Sequence, residues 1–123
     1  MTADETALTM AKVAAEAARE KLATSLTALD VSERTVFTDV FLIASGETDR
    51  QVRAITDAVT EALEKAGCER RRIEGLDHEA HWVLADFGDL VVHVMQDEDL
   101  EYYSLDRLWG DCPAIELGEA ESA

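Results

Sequence analysis

Basic residues are nearly missing from the C-terminal part of this chain. Residues 73–123 hold 14 acidic side chains and one base, Arg107, whereas residues 1–72 hold 13 acids and 10 bases. Proteins that grip nucleic acid gain affinity by releasing counterions through many Lys and Arg contacts to phosphate. A net charge of −16 therefore argues against direct binding of RNA or DNA. A basic protein is the better electrostatic match, because opposite fields speed encounter and orient the approach. Acidity that serves only solubility is the plainer alternative.

Cysteine is scarce as well. Cys68 and Cys112 stand far apart and neither belongs to a CxxC pair, so zinc and thioredoxin-like readings have no support. Ordinary reduced thiols are expected, with no cofactor and no metal. No apolar run approaches the roughly 20 residues that cross a bilayer, and no basic segment followed by an apolar core marks a secretory signal. The expectation is a cytoplasmic protein with no membrane contact. No internal repeat or interdomain linker is visible, and 123 residues suffice for one core but not two. A domain of this size buries about two-thirds of its unfolded surface and needs no metal or disulfide to hold it. A single α/β domain over residues 1–112 is expected, followed by an acidic, flexible tail over 113–123.

What is present is periodic. Leu8, Ala11, Ala15, Ala18, Leu22, Leu26 and Leu29 recur at steps of three or four, which predicts a helix over residues 5–27, started by a capping box from Thr2 to Glu5. A short strand is expected near 28–31. The run Val40-Phe41-Leu42-Ile43-Ala44, bounded by Asp39 and by Ser45-Gly46, suits a central strand covered on both faces. Thr48-Asp49-Arg50-Gln51 then has the spacing of a helix-starting capping box. Val52, Ile55, Val59, Ala62, Leu63 and Ala66 form the stripe of that helix, and Gly67 ends it. Residues 70–74 read as a third strand and Gly75, Asp77 and His78 as a loop.

Residues 81–86 and 89–95 read as two strands around Phe87-Gly88, an interval short enough for a hairpin. Trp82, Leu84 and Asp86 share one face of the first arm, Val83 and Ala85 the other. In the second arm Leu90, Val92 and Val94 alternate with Val91, His93 and Met95. An acidic turn over 96–101 leads to the segment Tyr102–Trp109. The order predicts an α/β fold: a single mixed sheet of about five strands with two main helices. Strand 2, its helix and strand 3 are expected to form a right-handed parallel crossover.

Four motifs invite chemistry and each has a plainer reading. Asp86-Phe87-Gly88 matches a kinase signature, but the Gly-rich loop, strand lysine and catalytic-loop Asp that phosphoryl transfer also requires are missing; a hairpin turn is the better reading. His78-Glu79-Ala80-His81 has one residue too few for the H-E-x-x-H zinc helix. Ser45-Gly46 before a helix suits an anion site, as in small nucleotidyltransferases, yet the only D-x-D spacing, Asp97-Glu98-Asp99, lies beyond the last strand. His93 amid valines fits a core or edge position better than a general base. The remaining set is Trp82, Leu84, Tyr102, Tyr103, Leu105, Leu108 and Trp109. Any one suits a core, but two helices offer too few stripes to cover both faces of such a sheet. Aromatic anchors ringed by acids describe a protein-binding patch.

Three segments carry a family likeness. "TDVFLIASGETDRQVRAI" (38–55), "WVLADFGDLVVHVM" (82–95) and "EYYSLDRLWGD" (101–111) resemble the signature blocks of the ribosomal silencing factor family, also called Iojap-like proteins, in order and spacing. The resemblance implies a fold related to nucleotidyltransferases without their catalytic acids, and a translational repressor rather than an enzyme. It implies binding to the fourteenth protein of the large ribosomal subunit, so that the bound factor blocks small-subunit joining when nutrients are scarce. Some members form homodimers. On this reading Trp82, Leu84, Tyr102, Leu105 and Leu108 supply apolar contact, while Glu74, Asp86, Asp89 and Asp106 pair with cationic side chains of the partner. The competing expectations are a nucleotidyltransferase-like enzyme or nucleotide-binding protein using Ser45, Gly46 and nearby acids, and a dimeric adaptor for some other basic protein.

Overall fold

A computed structural model describes residues 4–76, 79–103, 107 and 109–117. The elements are α1 (Glu5–Glu20), β1 (Ser25–Asp30), β2 (Val40–Gly46), α2 (Asp49–Lys65), β3 (Arg72–Glu74), β4 (Trp82–Asp86), β5 (Leu90–Gln96) and α3 (Asp97–Tyr103). The strands form one mixed sheet in the order β1-β2-β5-β4-β3. β2 and β5 run parallel; the other neighbouring pairs are antiparallel.

The first helix ends at Glu20, earlier than its apolar stripe suggests. Leu22 takes a left-handed backbone with φ 60°, and the chain from Ser25 pairs with β2 instead. Leu26 and Leu29, whose spacing continues the helical stripe, point to opposite faces of β1. Leu26 packs against the helix-covered core and Leu29 joins the cluster on the other face. A step of three satisfies a helix on one side and a doubly covered strand on two.

α2 starts at the predicted cap. The Gln51 amide donates to Thr48 Oγ1 at 3.1 Å, and Gln51 Oε1 accepts from the Glu47 amide at 2.7 Å. The same side chain donates through Nε2 to the Leu22 carbonyl at 2.8 Å, tying the start of α2 to the end of α1. At its other end Gly67 takes φ 87° and the Cys68 amide reaches back to the Leu63 carbonyl, which satisfies carbonyls the helix leaves open.

The parallel crossover differs from the expectation. β2 pairs with β5, and β3 lies at the far edge against β4. The chain therefore inserts α2, β3 and β4 before the parallel partner arrives. β5 carries the longer apolar run, so it takes the doubly covered central position.

α1 and α2 cover one face. Small buried residues of α1, including Ala7, Ala11, Ala14 and Ala18, pack in one cluster with Leu42, Val52, Ile55, Leu63, Val83 and Val92. Among the described residues the opposite face is covered only in part: Leu29, Val31, Ile43, Met95 and Cys112 form a smaller cluster, with Phe41, Trp82, Leu100 and Trp109 half-buried against it. Residues 113–115, assigned by sequence to a flexible tail, return to the β1 edge. The Asp30 amide donates to Pro113 O and the Ile115 amide to Ala28 O, each at 2.8 Å, and Ala114 bridges to Leu29. This covers an edge that would otherwise present unpaired backbone groups.

Asp86-Phe87-Gly88 is the turn of the β4–β5 hairpin. Gly88 has φ 89°, its amide donates to Asp86 Oδ1 at 2.8 Å, and the Phe87 amide donates to Leu90 O. Phe87 itself is buried.

Candidate functional site

Alternation along β4 sets up the site. Val83 and Ala85 enter the helix-covered core, which leaves Trp82, Leu84 and Asp86 half-exposed on the other face. Cross-strand register puts His93 beside Leu84 and Met95 beside Trp82. The Trp82 indole N–H donates to His93 Nδ1 at 3.1 Å.

From this pair an aromatic run extends both ways. His93 meets Phe41 edge-on with ring centroids 4.8 Å apart, and Phe41 meets Trp109 the same way at 4.8 Å. The Arg34 guanidinium lies over Trp109, 4.9 Å from the ring centroid, and pairs with Asp111. In the other direction Trp82 lies 5.1 Å from Tyr103, which meets Tyr102 edge-on at 5.0 Å. Such ring pairs contribute about 0.5–1.5 kcal/mol each beyond area burial. They also hold side chains in place before any partner arrives, which lowers the ordering cost of binding. The run is covered at Phe41 and His93 and opens toward α3, where Tyr103 is 51% and Tyr102 80% exposed.

The acids lie toward the other end of the same face. Glu74, on edge strand β3, stands opposite Leu84 and has Arg72 Nε at 3.8 Å. Asp86 has one carboxylate oxygen committed to the Gly88 amide. Asp89 is exposed just before β5, and its carbonyl accepts from the amides of Asp39 and Val40. Of the nine residues expected to bind a partner, the fold places Glu74, Trp82, Leu84 and Asp86 together, Tyr102 at the α3 end and Asp89 at the hairpin end. Leu105, Asp106 and Leu108 lie outside the described residues.

The sequence places Tyr103 in the aromatic set but not among the expected partner contacts, does not single out Phe41, and reads His93 as a core or edge residue, in keeping with its burial. Tyr103 is the residue that touches Trp82, yet adjacent tyrosines on a helix point in different directions and only the helix phase distinguishes them. The loop pair Val36 and Phe37, 95% and 88% exposed, carries no sequence signal of its own, since nothing in local pattern separates it from the strand that follows.

His93 is buried and neutral. Desolvation pushes its pKa down to about 4. With Nδ1 accepting from Trp82, the ring proton sits on Nε2, which has no hydrogen-bond partner among the described residues. The unfolded imidazole titrates near 6.5, so between that value and about 4 the unfolded chain binds a proton that the folded one refuses. Stability present above pH 6.5 is therefore lost as pH falls through this window. Chemical denaturation at pH 7 and pH 5.5 is expected to show a loss from this source of about 1 kcal/mol. His93→Gln, which keeps an acceptor for Trp82 but does not titrate, should remove that increment; an identical pH slope in both proteins would refute the assignment.

The D-x-D spacing forms no metal pair. Asp99 bonds to His81 Nδ1 at 2.8 Å, and the other ring nitrogen faces Glu79 at 3.2 Å. Asp99 first, then Glu79, raises the His81 pKa. Asp97 instead lines a separate cleft with Ser25 and Ser45. Among the described residues no three candidate ligands cluster to hold a metal, and His78 lies outside them. No helix among the described residues is long and apolar enough to cross a membrane.

Comparison with known proteins adds sequence and structural kinship. A family profile described as "Ribosomal silencing factor during starvation" matches residues 4–123. The ribosomal silencing factor RsfS of Bacillus subtilis (strain 168) is 42% identical over 106 residues, which span 86% of this chain and 89% of that protein. The chloroplastic protein Iojap of Zea mays is 30% identical over 115 residues, covering 93% of this chain and 49% of its own length. A crystal structure of a Chromobacterium violaceum protein superposes with a TM-score of 0.80 at 32% identity, covering 93% of this chain and 94% of that one.

Proposed function

The chain belongs to the ribosomal silencing factor family, and from that membership we propose that its open sheet face binds the fourteenth protein of the large ribosomal subunit and that the bound domain excludes the small subunit. The family points to a ribosome-associated regulator rather than an enzyme. Steric exclusion needs affinity and bulk, not an active site.

The observation that carries this reading is the aromatic run that surfaces at Trp82, Tyr103 and Tyr102 on a sheet face whose other end carries Glu74, Asp86 and Asp89. Aromatic side chains seated in a pre-ordered patch are typical binding anchors. The charge supports the choice of partner. A ribosomal protein presents cationic side chains amid RNA, so a domain of net charge −16 is drawn to the one and pushed from the other. In this arrangement Trp82, Leu84 and Tyr102 supply apolar contact, joined by Tyr103, while Glu74, Asp86 and Asp89 meet Lys or Arg. Leu105, Asp106 and Leu108 continue the same segment of chain.

Co-sedimentation with purified large subunits is the direct test. The protein is expected to pellet with large subunits, to be displaced by an excess of the isolated fourteenth protein, and to reduce formation of joined ribosomes when small subunits are added. Protein that stays in the supernatant at a molar excess of large subunits would defeat the proposal.

A further inference from the structure

β3 closes one side of the sheet, and β4 is its only neighbour. Into this edge run three consecutive arginines, Arg70, Arg71 and Arg72, all exposed. The chain has 11 bases against 27 acids, so three adjacent cations are a local reversal of its charge. Charge on an edge strand deters another strand from pairing there. A chain this acidic could meet that need with carboxylates, so edge protection accounts for the charge but not for its sign.

The fold gives the run a direction. Arg72 stands opposite Asp86 in the β3–β4 register, and Glu74 opposite Leu84. Residues opposite one another share a sheet face, which puts Arg72 on the docking face beside Glu74, Leu84 and Asp86. Its Nε lies 3.8 Å from Glu74, too far for a hydrogen bond. Arg71 is held by shape instead. Its amide donates to Asp86 O at 2.7 Å, and its guanidinium lies over the hairpin turn, where a Cβ added to Gly88 would come within 3.0 Å of Arg71 Cζ. Neither Arg70 nor Arg71 has an ionic partner among the described residues. The face thus changes sign at the β3 edge, with carboxylates inside it and guanidinium groups along its border. Screening acts over about 8 Å at physiological ionic strength, so carboxylates farther away do little to cancel these cations.

We infer that Arg70, Arg71 and Arg72 contact phosphates of ribosomal RNA at the margin of the docking site. This contact rests on the docking proposed above and adds a second partner to it. A ribosomal protein set in RNA presents cationic side chains with phosphates around them, and a face that passes from carboxylate to guanidinium matches both sides of that boundary. Arginine suits the border because its planar fork bonds two phosphate oxygens at once. A second copy of this chain brings a net charge of −16 of its own and is repelled. RNA too is repelled by the domain as a whole, so the contact forms only once docking has brought border and backbone together.

The test measures affinity of the full-length protein for purified large subunits and, separately, for the isolated fourteenth protein, between about 50 and 200 mM salt. Each phosphate contact contributes about 0.7–0.9 to the slope of log K against log salt. Changing Arg70, Arg71 and Arg72 together to glutamine should lower the slope for large subunits by about two to three. The wild type then loses about 20- to 40-fold more affinity across that range than the variant, while affinity for the isolated protein stays the same. The triple lysine variant, which keeps the charge, should keep the wild-type slope. Circular dichroism checks folding; if the triple glutamine variant does not fold, Arg70→Gln alone, outside β3, should lower the slope by about one. Equal slopes in wild type and glutamine variant, or an equal loss of affinity for the isolated protein, would overturn the RNA contact and leave the docking proposal standing. Wild type that binds neither probe would bring down the docking proposal, and this contact with it.

Discussion

Replacing Trp82 by alanine is expected to weaken binding to the fourteenth large-subunit protein by at least ~2 kcal/mol, about thirtyfold, the threshold of an interface hot spot. Trp82 occupies the centre of the aromatic run, touching His93 through its indole N–H and meeting the tilted Tyr103 ring with centroids 5.1 Å apart. Truncation removes the anchor and leaves both neighbours unsupported. Trp82→Phe separates these contributions, since it keeps an apolar ring but cannot donate to His93; an intermediate loss is expected. Titration of each variant against the isolated ribosomal protein, with circular dichroism to confirm folding, measures the effect. Unchanged affinity of the alanine variant would remove Trp82 from the site.

The second large effect is expected at Gly75, which lies after β3 with φ 99°. A side chain there is strained by the backbone angle, and a Cβ would run into the Trp82 carbonyl oxygen and approach Val83 Cα to 3.1 Å. Left-handed strain costs about 1–3 kcal/mol and overpacking a further 1–3 kcal/mol. Gly75→Ala should therefore destabilise the domain by about 3 kcal/mol or more, read by urea denaturation. It should also impair the proposed docking, because the atom displaced belongs to Trp82, the anchor that proposal assigns. Gly67→Ala is the control: Gly67 has φ 87° but nothing within 4 Å of an added Cβ, so it isolates the backbone strain and should cost about 1 kcal/mol. Equal losses at both positions would mean that the Trp82 contact contributes nothing.

Parts of this molecule are legible without coordinates because their signals are local. The α2 helix carries its cap, stripe and terminating glycine within about one continuous segment, and each does its work through neighbours a few residues away. The β4–β5 hairpin is equally local, with Gly88 supplying the turn and strict alternation sorting Val83 and Ala85 from Trp82, Leu84 and Asp86. The end of α1 is not local in this sense. Leu26 and Leu29 satisfy helical spacing, and only the availability of β2 as a hydrogen-bonding partner, with cores on both faces, makes a strand the better solution. The same holds for residues 113–115, whose pairing depends on an edge built from residues far earlier in the chain.

The charge distribution, the family kinship, the two-faced pattern of β4 and the amphipathic α2 follow from the order of the amino acids, since each depends on composition or on a short period. Tertiary structure decided the rest. It alone chose β5 as the parallel partner of β2, aligned Trp109, Phe41, His93, Trp82 and Tyr103 into one aromatic run, and sent Asp97 and Asp99 to different neighbours. The physical reason is that these relations join residues distant in sequence, and which distant residues meet is set by how the whole chain shares its buried surface and backbone hydrogen bonds.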